Sequence, residues 1–97
     1  MAEIKLKTDQ SDQAIVILRE AMKTEELRIK YAMDVAKKKL AEFEKKYGIS
    51  SETFINEWAA EDLDGRDLEY VAWAGEIKLS SRLNERFDIL RGIEYVA

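Results

Sequence analysis

Apolar residues recur along the first half of the chain at Ile15, Leu18, Met22, Ile29, Met33, Ala36, Leu40, Phe43 and Tyr47. The steps are of three and four residues, broken only where Glu25 and Glu26 interrupt the stripe. Counting that gap as one position gives about 3.56 residues per step, between the period of a straight helix and that of a heptad. The spacing predicts a long helix over residues 12–47, filled with the good helix formers Ala, Glu, Lys, Leu and Met. Asp9, Ser11 or Asp12 is placed to cap its start. Gly48 supplies a left-handed residue to end it, and Ile49 the apolar contact that commonly follows such a stop.

A second, shorter helix is expected over residues 51–60, with Ser50 as its N-cap, Glu52 near the positive end of its dipole, and Phe54, Ile55, Trp58 and Ala59 on one face. A third is expected over residues 66–91, where Gly92 and Ile93 repeat the stop formed by Gly48 and Ile49. One stripe of this helix, Leu68, Ala72, Gly75, Leu79, Leu83 and Leu90, offers itself as the partner of the long helix. Tyr70, Trp73 and Ile77 lie within about 60° of each other on another face, so this helix needs neighbours on two sides. Two assignments of that face are open. The short helix folds back so that Phe54 and Trp58 meet it, or Trp58, Tyr70, Trp73 and Ile77 form a partner-binding patch of the aromatic kind found at interface hot spots. Gly75 inside the helix costs about 1 kcal/mol relative to alanine, which points to close approach of another backbone and poor tolerance of a bulky side chain there.

Residues 1–10 form an arm whose positions 3–8 alternate polar and apolar, the pattern of a short strand. Only the tail, residues 93–97, has comparable strand character, so the arm pairs with that tail or with another chain.

Length makes the first helix informative. The chain has 97 residues, enough for a single domain. A helix over residues 12–47 is about 54 Å long at 1.5 Å per residue. A compact chain of this length has a radius of gyration of about 12.5 Å and a diameter near 32 Å. The stripe therefore outruns the globule, and the residues Ile15, Leu18, Met22, Ile29, Met33 and Leu40 are expected to form an oligomer seam. The fold class is all-α: long helix, short helix, long helix, in a hairpin or bundle that self-associates.

Composition narrows the chemistry. There is no cysteine, histidine or proline, which removes disulfides, thiolate nucleophiles, structural zinc and the usual neutral-pH base. No glycine-rich phosphate loop or Gly-x-Ser-x-Gly elbow is present, so no catalytic, cofactor or metal residue is assigned and no enzyme activity is expected. The acidic run Asp62, Asp64, Asp67 and Glu69 does not fit a calcium loop. Setting Gly65 at the sixth position puts Ala60 first and Val71 twelfth, where acidic ligands are needed. The longest apolar run, residues 14–18, is far shorter than the roughly 20 residues of a membrane helix. The first residues also lack the basic start and apolar stretch of a secretory signal, so a cytoplasmic location is expected.

Charge is uneven. Residues 1–49 carry 11 Lys/Arg against 9 Asp/Glu, net +2, and residues 50–97 carry 5 against 11, net −6. This favours packing of one half against the other, within the chain or across a dimer; a basic partner for the acidic half is the alternative. The net charge of −4 argues against nucleic acid as the main partner. Lys37, Lys38 and Lys39 read as a solvated helix face.

The string Phe43-Glu-Lys-Lys-Tyr-Gly-Ile-Ser-Ser51, then Phe54, a short acidic linker and Trp73-Ala-Gly-Glu76 before a leucine-spaced helix, resembles small helical proteins of archaea and bacteria. Some of these are similar to the antitoxin half of two-gene toxin–antitoxin pairs. The resemblance covers most of the chain and implies a small folded protein that binds and masks a toxin-like partner. It supplies no DNA-binding module, and no basic recognition helix is visible. The expected function is a non-enzymatic, antitoxin-like interaction module; a structural homo-oligomer built on the long helices is the alternative.

Overall fold

The computed structural model of the chain describes residues 2–58 and 67–94. Three helices follow in order: α1 (Ser11–Tyr47), α2 (Ser51–Glu57) and α3 (Asp67–Arg91). The pattern of long, short and long helix is the one the apolar spacing predicts. The start of α1 is the exception in detail. Its N-cap is Gln10, with no side-chain capping bond, so none of Asp9, Ser11 and Asp12 caps it. At the other end Gly48 adopts φ 69° and its N–H donates to the Glu44 carbonyl, the left-handed stop expected there.

The Ser50 hydroxyl caps α2 by accepting the Thr53 N–H at 3.1 Å. That helix ends at Glu57, earlier than its sequence pattern indicates, because Trp58 turns extended (φ −100°, ψ 145°). The expected remainder, residues 59 and 60, lies outside the described residues. So do most of the acidic linker and residues 95–97 of the tail. The stop after α3 also differs from expectation. Gly48 is the only glycine at positive φ among the described residues, and Gly92 closes α3 by donating its N–H to the Asp88 and Ile89 carbonyls. Positions 3–8 of the arm form no strand, because no other strand is present among the described residues to pair with them.

Ion pairs fix the direction of α3 against α1. Lys46 meets Glu69, Lys39 Nζ lies 3.4 Å from Glu76, and Arg86 Nε lies 3.5 Å from Glu25. The α1 number falls as the α3 number rises, so the two helices run antiparallel as a hairpin. The first two pairs join the basic first half to the acidic second half, so the charge asymmetry is used within the chain. Each is partly exposed and contributes little to stability, about 0–1 kcal/mol.

The face that α3 turns to α1 departs from the leucine-spaced stripe. Leu83 and Leu90 are half-buried, but Leu68, Ala72, Gly75 and Leu79 point outward. Trp73, Glu76, Ser80, Leu83 and Phe87 take the inner side instead. The reason is area. A tryptophan buries roughly 150–250 Å², whereas Ala72 and Gly75 offer almost nothing to bury, so α3 rotates to put Trp73 in the core. A Cβ built on Gly75 meets nothing within 4 Å, so among the described residues no other segment approaches that glycine and room is left there for a side chain.

The hairpin is long and narrow. Its principal extents are 61 × 24 × 18 Å and its radius of gyration is 19.2 Å, against about 12.5 Å for a compact chain of this length. The 37 residues of α1 span about 55 Å, and the 25 residues of α3 about 37 Å. The last turn of α3 meets α1 in an open depression lined by Arg19, Met22, Lys23, Glu26 and Leu90. The first two turns of α1 extend past that end.

Candidate protein-interaction surfaces

Three features of the hairpin bear on recognition: an aromatic cluster at one end, an uncovered stretch of α1 at the other, and the outer face of α3.

The aromatic cluster is built where the turn after α1 lays α2 across α3. Phe54 and Trp73 are fully buried, and Leu40, Phe43, Tyr47, Ile49, Trp58, Tyr70, Ala74 and Ile77 pack around them. The Trp73 ring stacks on Phe54 with centroids 3.9 Å apart, on Phe43 at 5.4 Å and on Tyr47 at 5.6 Å. Polar atoms at its border are paired. Trp73 Nε1 donates to Ser51 Oγ at 2.9 Å, and the Tyr47 hydroxyl donates to Glu69 Oε2 at 2.7 Å. The Ser51 N–H, the first of α2, donates to Glu44 Oε2 at 2.7 Å, so a carboxylate of α1 holds the positive end of α2. The indole N–H is satisfied and the ring fully enclosed, as a core tryptophan requires.

The structure thus brings Trp58, Tyr70, Trp73 and Ile77 together. They gather as packing for Phe54, the first of the two assignments open for that face, with Trp73 carrying no exposed surface. Glu44, Ser51 and Glu69, which tie this cluster together, are not singled out by motif. The one sequence signal for them is position: Glu44 lies one turn before Gly48, and Ser51 just after it.

The six seam residues divide along α1. Ile29 is fully buried, and Met22, Met33 and Leu40 are half-buried on the side that faces α3, so this stretch of the stripe is covered within the chain. Ile15 and Leu18 fall beyond α3. With Val16 and Ile17 they form four successive large aliphatic residues that are 37–64% exposed. In the arm, Ile4 and Leu6 are also exposed.

On α3, Leu68, Val71 and Leu79 are 45–87% exposed, with exposed Ala72 and Gly75 between them. At successive steps of three or four residues these positions form one outward stripe.

Electrostatics adds one perturbed pair on α1. The Arg28 guanidinium, donating to both oxygens of Glu25 (Nε to Oε2 at 3.0 Å), lowers the Glu25 pKa, and the charges of Arg28 and Arg86 act in the same direction. The hydrogen bond from Glu25 raises the Arg28 pKa in turn. Both groups are solvated, and the pair staples one helical turn. Among the described residues no three acidic side chains gather to hold a metal ion, and no helix is long and apolar enough to cross a membrane.

In comparisons with known proteins, the chain matches no family model, no curated protein and no solved structure.

Proposed function

We propose that this protein is a non-enzymatic interaction module of antitoxin type, which binds and masks a toxin-like partner protein through the uncovered start of α1 and the arm before it. The observation that carries the reading is the run Ile15, Val16, Ile17 and Leu18, exposed past the end of α3. Full burial of such a side chain contributes about 1.5–3 kcal/mol, so a partner that covers these residues gains a large apolar contribution. Large apolar groups left exposed close together are a mark of interaction sites.

The arm extends the surface. Residues 3–8 alternate polar and apolar, and Ile4 and Leu6 are exposed. Such a segment docks as an added strand on a partner's sheet edge, its main chain supplying affinity and its alternate side chains specificity. A helix start and an extended arm that close together on a partner are suited to masking it.

The partner class comes from the resemblance to antitoxins, and it names where to look: the product of the neighbouring reading frame in the source genome. The two proteins, co-expressed, are expected to co-purify, and this chain to relieve any growth arrest that the neighbour causes. A Val16→Glu/Ile17→Glu variant is expected to lose the complex while keeping its helical circular dichroism. No complex with the neighbour, or a complex indifferent to that variant, contradicts the proposal.

A further inference from the structure

We propose that the outer face of α3 is a homodimer interface, on which a second copy of this chain packs antiparallel, crossing at Gly75. The occupant follows from the charges at the two ends of the stripe. Asp67 lies at its start and Arg82 just past its end. In an antiparallel pair centred on Gly75, residue 68 faces residue 82 and residue 71 faces residue 79. Val71 then meets Leu79 of the second copy twice over, and Asp67 comes beside Arg82 at both ends. A parallel pair would set Asp67 against Asp67 and Arg82 against Arg82, like charges facing each other. The stripe is therefore complementary to itself in one orientation, as a two-fold interface must be.

Gly75 supports the same geometry. It stands in mid-helix, where glycine is disfavoured, and outside its own helical turn no described atom lies within 4 Å of where a Cβ would be. At a two-fold crossing that open space admits the backbone of the other copy. This interface is separate from the start of α1, so the dimer stands or falls independently of the proposed partner.

The chain has no cysteine, which makes single-cysteine variants of the full chain a direct test. Two helices packed about 8–10 Å apart, each with Cα atoms about 2.3 Å from its axis, bring the two residues at the crossing within the Cα separation of a disulfide. Under mild oxidation Gly75→Cys is expected to form a covalent dimer at least about tenfold faster than Lys38→Cys, exposed on α1, because the dimer holds the thiols at an effective concentration far above that in free solution. Leu68→Cys, at the end of the stripe, is expected to link no faster than Lys38→Cys, its two copies lying roughly 20 Å apart at 1.5 Å per residue on either side of the crossing. Sedimentation of the unmodified chain at tens of micromolar is expected to give twice the monomer mass, and Val71→Glu/Leu79→Glu to halve it. A monomeric unmodified chain overturns the proposal, as does Gly75→Cys that links no faster than the control. Fast linking by Leu68→Cys overturns the antiparallel orientation. The cysteine variants decide the matter even if the double glutamate variant fails to fold.

Discussion

At the residue scale the fold depends most on Trp73. Its ring contacts aromatic groups from α1 and α2, so Trp73→Ala is expected to cost about 3–5 kcal/mol, as large aromatic truncations in a core do. Urea melts followed by circular dichroism check this, and a loss under about 1 kcal/mol would contradict the burial of that ring. Gly75 behaves in the opposite way. With open space at its Cβ position, Gly75→Ala is expected to raise the stability of the dilute protein by about 0.5–1 kcal/mol through helix propensity. A decrease would reveal a close backbone contact inside the protomer. Glu25 supplies a pH signature. Its folded pKa is lowered, so its contribution is full above the ordinary carboxylate pKa and fades as pH falls through the lowered value. The stability difference between the unmodified chain and Glu25→Gln should therefore be present at neutral pH and vanish in acid. Carboxyl NMR titration of Arg28→Ala should move the Glu25 pKa upward.

At the scale of elements, most of the helices are legible in the sequence, and what is not has a physical cause. The three- and four-residue steps from Ile15 to Tyr47 locate α1, and Gly48 and Ser50 mark its end and the start of α2. The rotation of α3 is harder to read. Counting leucines favours the stripe through Leu68 and Leu79, but burial is weighed by area, and Trp73 with its aromatic neighbours outweighs a stripe that contains Ala72 and Gly75. The gathering of Tyr70, Trp73 and Ile77 is visible in their angular clustering; the arrival of Trp58 beside them and their enclosure depend on α2 folding back, which only the tertiary structure decides. The contact of Glu44 with the first N–H of α2 spans the break at Gly48, where helical periodicity no longer relates one residue to the next. Its loss in Glu44→Ala, like the loss of the cap in Ser50→Ala, is expected to lower stability by about 1 kcal/mol. Thermal melts of the two variants measure it, and no change in either would mean that α2 is held by Phe54 alone.

At the scale of the molecule, the hairpin is defined by a mismatch of lengths. An α1 of about 55 Å runs past the end of an α3 of about 37 Å, and the turns of α1 beyond it, beside which no other helix lies among the described residues, carry Ile15, Val16, Ile17 and Leu18. The seam expected along all of α1 is thus divided. Its middle is covered within the chain, whereas its start, proposed to meet a partner protein, and the outer face of α3, proposed to meet a second copy, are exposed. Hydrogen–deuterium exchange of the backbone amides of residues 11–18 tests this most directly, measured in the chain alone and with the product of the neighbouring reading frame. The expected result is fast exchange in the chain alone, slower exchange over residues 29–47, and protection of residues 11–18 by at least about tenfold on adding the neighbour, equivalent to about 1.4 kcal/mol or more. Residues 11–18 already as protected as the middle of α1, or unchanged when the neighbour is added, would contradict it.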